Sequence, residues 1–333
     1  MKSVLGNGAL VLVSLLTLVG LFELYLWVRY EREHDRLKDR YTNHEVCTRA
    51  AQDRRLIYEF VPGERCGVNS LGFMDIERSV NKPQDILRLV LIGDSVAQGQ
   101  GVSRTKRFSQ LLEDMWNQQH PNRPLELINL ARSGYSTGQE LVILQEIGLQ
   151  FSPDLILWSY VLNDPAHPIF HDANGHLGRY FYRPTWRGRH YVTRALFKAQ
   201  ENAEAERCGK EFHVLLHCAY RDNVVTHLSQ LGEISERTNI PVLFFVHPVL
   251  EQGGNFEAYA YQSIHDDLLM IAEGAGLEAV DLVKAVASKL PDELSAAAAE
   301  QRFDPWHPNA IGHQLFAEHL YQKLMHMELP KNG

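Results

Sequence analysis

Basic residues are in the minority in this chain: 33 Lys and Arg stand against 41 Asp and Glu over 333 residues, a formal net charge of −8. No basic stripe runs along it, so the electrostatic footprint that a nucleic-acid partner requires is missing. No internal repeat and no low-complexity segment interrupts it, apart from a short alanine run at 296–299. Cysteines number four, and none has the C-x-x-C spacing of a metal site. Cys47 and Cys66 flank one short region, and Cys208 and Cys218 flank another. Two local disulfides in an oxidising compartment and four free buried thiols are both open at this point. What is present is ordinary: 45% apolar and 22% charged residues, enough to build a core in one large domain or two small ones.

The N-terminus departs from this average. From Ala9 to Val28 the chain is apolar over the ~20 residues a helix needs to cross a bilayer, and Glu23 is the one charge within. Trp27 and Tyr30 fall where an interfacial aromatic belt would sit. A cleaved signal peptide would be shorter and end at small residues, whereas Leu24-Tyr25-Leu26-Trp27 offers no such site. Residues 1–29 are therefore read as a single-pass membrane anchor, and 30–85 as a charged stalk and lead-in. Orientation is pulled both ways. Arg29, Arg32, Arg36, Lys38 and Arg40 follow the span while Lys2 alone precedes it, which favours a cytoplasmic domain. Disulfides would favour the opposite side, and an extracytoplasmic (periplasmic) domain is the expectation carried forward.

From Ile86 onward apolar runs alternate with helical periodicity, the pattern of a parallel sheet covered by helices. Strands are expected at 88–92, 125–130, 155–160, 242–246 and 278–282. Helices are expected at 109–118, 138–149, 223–238, 259–275 and from Asn309 to about Met325. Residues 165–220 break the pattern and read as an insertion over the active site. The fold class is α/β, a three-layer α/β/α sandwich over 86–330.

Two distant stretches carry the chemistry. Leu91-Ile92-Gly93-Asp94-Ser95 places a serine where a buried strand ends, and Asp304-Pro305-Trp306-His307-Pro308 supplies a carboxylate and an imidazole. These are the three groups that make serine a nucleophile at neutral pH. Four blocks in chain order, Gly93-Asp94-Ser95, Gly134 within Ala131–Ser136, Asn163 within Val161–Asp164, and Asp304–His307, resemble those of the SGNH (GDSL-like) hydrolase family. Asn69-Ser70-Leu71-Gly72-Phe73 resembles a lead-in of its membrane-anchored bacterial members. The resemblance implies Ser95 as nucleophile, His307 as base, Asp304 as its orienting acid, and an oxyanion hole from the Ser95 and Gly134 N–H groups and the Asn163 amide. One departure is visible: Val161 stands where that third block has glycine.

The implied activity is hydrolysis of small-molecule or glycan esters, acetyl esters foremost, with no cofactor and no metal. The alternatives are an O-acyltransferase built on the same triad, or a catalytically idle envelope scaffold. Gly134-Tyr135-Ser136-Thr137-Gly138 also fits a nucleophile elbow, but Ser136 reads better as a helix start. His167, His171 and His176 read as loop histidines, and His247 as either core or site border.

Overall fold

The computed structural model describes residues 8, 10–22, 24–25, 47–53, 55–56, 58–165, 169–171, 177–179, 206–209, 211–296 and 303–329. Strands β1 (Thr48–Ala50) and β2 (Tyr58–Phe60) pair antiparallel in the lead-in. β3 (Leu87–Ile92), β4 (Leu125–Asn129) and β5 (Leu155–Tyr160) follow. β6 (Ile169–His171) and β7 (Leu177–Arg179) make a small antiparallel pair, and β8 (Val242–Val246) and β9 (Glu278–Asp281) complete the main sheet. That sheet is wholly parallel with the order β4-β3-β5-β8-β9.

The strands sit where the apolar runs place them, and for a plain reason. β3, β5 and β8 are buried on both faces, so each reads as a continuous apolar stretch. Helices α1 (Ser95–Gln98), α2 (Phe108–Gln119) and α3 (Thr137–Glu146) precede the long α4 (Phe212–Thr238). α5 (Gln262–Gly274), α6 (Val283–Val286), α7 (Pro291–Leu294) and α8 (Ala310–His326) complete them. α2 packs on α8, while α3 packs on α4 and α4 on α5, giving the two helical layers.

Three expectations need correction or bounding. α4 begins at Phe212 rather than Asn223, with a kink at Tyr220. Both cysteine pairs are bonded, Cys47 to Cys66 and Cys208 to Cys218. The second ties the start of α4 to the segment before it. At the N-terminus, 10–22 is helical with its leucines exposed, yet among the described residues no helix is long and apolar enough to cross a membrane. Glu23, Trp27, Tyr30 and the stalk to 46 lie outside the described residues, as do most of 165–210, His167 and His176.

Candidate active site

Strand order decides where a ligand can sit. β3 lies between β4 and β5, so the chain steps outward from β3 to β4 and then returns across it to β5. This puts the topological switch point, where open α/β sheets bind ligands, at the C-terminal ends of β3 and β5. Gly93-Asp94-Ser95 leaves β3 there, beside the turn 161–164 that leaves β5. Gly93 has no room for a side chain: a Cβ would stand 2.8 Å from the Ser159 carbonyl oxygen. Asp94 caps α1, its Oδ1 accepting from the Val96 N–H at 3.0 Å, and this sets Ser95 at the first helical position.

The loop before α8 reaches across to it. His307 Nε2 lies 2.9 Å from Ser95 Oγ, and His307 Nδ1 lies 2.8 Å from Asp304 Oδ2. The other carboxylate oxygen accepts from the Trp306 and His307 N–H groups at 2.9 and 3.1 Å. Partial burial pushes the Asp304 carboxyl up, but the His307 hydrogen bond and charge, with those two N–H donors, hold it below the usual range. Asp304 is therefore an anion at neutral pH, oriented before any substrate arrives.

The other site residues come from two further turns. Gly134 adopts φ +72, a left-handed conformation that side chains resist, and its N–H has no partner among the described residues. The Arg132 N–H donates to the Gly93 carbonyl at 3.0 Å, the Thr137 N–H to the Asp164 carbonyl at 3.2 Å, and Asn163 Nδ2 to Asp94 Oδ2 at 3.4 Å. The turns bearing Ser95, Gly134 and Asn163 are thus joined to one another. Val161 in place of glycine does no harm. It has no positive φ, and its N–H donates to Asp164 Oδ2 at 2.9 Å.

Residues 91–315 match the profile of the GDSL-like Lipase/Acylhydrolase family, which is more than half of the chain. The chain belongs to that family. This acylhydrolase is a carboxylic-ester hydrolase. Similar solved structures include LAE5, an alpha/beta hydrolase enzyme from the metagenome of Lake Arreo, Spain. It is 18% identical with a TM-score of 0.46, over 72% of this chain and 96% of that one. Axe2, an acetylxylan esterase from Geobacillus stearothermophilus, is 15% identical with a TM-score of 0.46, over 73% and 96% of the two chains. No curated protein matches the chain.

The acylhydrolase leaves other sequence candidates outside this constellation. Ser136 stands at the start of α3, where Gln139 Oε1 accepts from its N–H at 3.1 Å and from its hydroxyl at 3.3 Å. Among the described residues, no imidazole is one of its hydrogen-bond partners. His247 is a core histidine, bonded to Ser159 Oγ at 2.8 Å and kept neutral by burial. His171 closes β6, and the loop that would join it to His167 and His176 is outside the described residues.

Sequence reasoning missed the supports of the Gly134 turn. Arg132 donates to the Gly72 carbonyl at 3.0 Å and stacks over Phe73, so the lead-in Asn69–Phe73 grips the second block directly. Tyr58 donates to the Ser133 carbonyl, and Gln98 Oε1 accepts from the Ser133 N–H at 2.8 Å. The available signal was Arg132 itself, a lone cation following a buried strand.

A buried acid group lies behind the same turns. Burial raises the Asp94 carboxyl, against the pull of the Val96 N–H and His307. Burial, then Asp94, raises Glu140 well above its ordinary 4.5, and neither of its carboxyl oxygens has a partner among the described residues. Burial, then Glu140 and Asp94, does the same to Asp164. A carboxyl raised in the folded state keeps a proton that the unfolded chain releases. Its contribution is therefore full below the unfolded pKa and is lost as pH rises through the folded one. Glu140→Gln should then melt as the parent does near pH 4.5 and at least about 2 °C higher at pH 8, measured by thermal unfolding at both. Equal melting temperatures at pH 8 would show that Glu140 carries no such penalty.

Proposed function

We propose that this acylhydrolase is a serine esterase for small acyl esters, acetyl foremost, with Ser95 as nucleophile, His307 as general base and acid, and Asp304 as the orienting carboxylate. The observation that carries the reading is the unbroken line from Asp304 Oδ2 through His307 to Ser95 Oγ, at 2.8 and 2.9 Å. Ser95 Oγ attacks the ester carbonyl as its proton passes to His307 Nε2. The oxyanion is received by the Ser95 and Gly134 N–H groups and by Asn163 Nδ2, donors fixed before the charge develops. His307 then protonates the leaving alcohol. Water, deprotonated by His307, attacks the acyl-enzyme; as the acyl–Oγ bond breaks and the acid leaves, His307 returns the proton to Ser95 Oγ.

The test is labelling of the full chain with a fluorophosphonate, followed by peptide mapping. An adduct on Ser95 is expected; one on Ser136, or none on folded protein, overturns the triad. Hydrolysis and acyl transfer share the same acyl-enzyme. Free acid released in the presence of sugar hydroxyls supports the esterase, while an acylated sugar would make the protein a transferase.

The N-terminal segment is part of the proposal. Leu10, Leu16 and Leu18 on its helix are 71%, 63% and 63% exposed, apolar side chains spread around the helix that water disfavours and a lipid phase would cover. The two disulfides favour an oxidising, extracytoplasmic side. The full chain is expected to stay with membranes through an alkaline carbonate wash, and a chain lacking residues 1–29 to be released. Recovery of the full chain in the wash would remove the anchor.

A further inference from the structure

The loop carrying Asp304 and His307 is held from two sides besides its contact with Ser95. On one side Ser295 and Ala296 hold it: Ser295 Oγ pairs with the Asp304 backbone and the Ala296 N–H donates to the His307 carbonyl at 2.9 Å. On the other, the Leu250 N–H donates to the Pro305 carbonyl at 2.9 Å, which links the loop to the segment leaving β8. That segment is fixed in turn. The Val249 N–H donates to the Tyr259 hydroxyl at 2.8 Å, and the hydroxyl lies 3.3 Å from His265 Nε2. His265 Nδ1 lies 2.8 Å from Asp281 Oδ1, and that oxygen also accepts from the Val283 N–H at 2.9 Å.

Every member is buried, with His265 at 0%, Asp281 at 3% and Tyr259 at 6% exposure. The Tyr259 oxygen accepts from Val249, and with its proton held by burial the hydroxyl can donate to His265 Nε2, the arrangement in which His265 Nδ1 donates to Asp281. We infer that Asp281, His265 and Tyr259 form a second hydrogen-bonded line that positions the catalytic loop, acting on His307 through Val249, Leu250 and the Pro305 carbonyl. They are positioning residues, remote from the reacting atoms, and the inference rests on the reading of His307 as the base.

Removing the Tyr259 hydroxyl leaves the Val249 N–H buried without its acceptor and frees the Leu250 end of the brace. In the full chain, Tyr259→Phe is expected to lower kcat for p-nitrophenyl acetate about tenfold, because a small misplacement of a base is costly, with KM within about twofold of the parent. His265→Gln should lose a similar factor, and the double variant no more than the worse single one, since the residues act as a unit. A folded Tyr259→Phe with the parent's kcat overturns the inference, as do losses that multiply in the double variant. Should Tyr259→Phe not fold, His265→Gln is judged by the same kcat and KM criterion. Ser95→Ala and His307→Ala assayed beside them separate the two failures: activity surviving those changes sinks the triad itself, whatever Tyr259 does.

Discussion

Ser95→Ala is expected to lower kcat for ester hydrolysis by roughly 10⁵- to 10⁶-fold, the scale on which serine-triad enzymes lose rate when the nucleophile is removed. The fold should be retained, because the residues that shape this turn do not need the hydroxyl. Asp94 caps α1 through the Val96 N–H, and the close passage of Gly93 past Ser159 is backbone geometry. Alanine suits the first turn of a helix at least as well as serine. On the proposed reading, whatever rate persists comes from the Gly134 N–H and the Asn163 amide, which would still polarise a bound ester for attack by water. Ser136→Ala is the matched control. It removes a hydroxyl from the start of α3 and should cost about 1 kcal/mol of stability with kcat within twofold. Steady-state kinetics on both variants, with circular dichroism to check the fold, decide the matter. A Ser95→Ala protein as active as its parent would mean that the 2.9 Å contact with His307 is not catalytic.

Those two serines also show how much of the site is legible in the sequence. Ser95 stands after Leu89–Ile92, a run buried on both faces, and a continuous apolar run announces a central parallel strand from sequence alone. Asp304 and His307 are three residues apart, so their pairing is local and readable from spacing. The supports of the site were not readable, because they span long separations and use ambiguous residue types. Arg132 meets Gly72 across 60 positions, so a lone cation after a buried strand marks the residue but not its partner. The early start of α4 was hidden for a related reason. Its inward positions include His213 and His217, which count as polar in a periodicity search but are buried here beside Glu211 and Asp267. Glu140 and Asp164 share a buried group only because the Gly134 and Asn163 turns converge. Pairwise signals survive in sequence when the partners are close in the chain, and are lost when folding brings them together.

Asp304→Asn is expected to cost roughly 10⁴-fold in kcat with little loss of stability, as loss of the orienting acid does in other serine triads. The geometry gives the reason. Asp304 Oδ1 accepts from two backbone N–H groups, so an asparagine will keep its oxygen there and turn its NH₂ toward His307 Nδ1. Flipping the amide would aim its N–H groups at two backbone donors, the worse arrangement. With an NH₂ facing it, Nδ1 must be the acceptor, and the ring's hydrogen moves to Nε2. That nitrogen then points a donor at Ser95 Oγ and can no longer take its proton. The base is present and in place, but in the wrong tautomer. Asp304→Ala should lose less orientation-specific rate, because no donor opposes Nδ1 and either tautomer is open to the ring. Asparagine should therefore be the slower of the two variants, although it is the closer isostere. The ratio of their kcat values measures tautomer control directly. Equal rates would show that Asp304 acts through its charge alone, and an asparagine variant faster than alanine would overturn the assigned role.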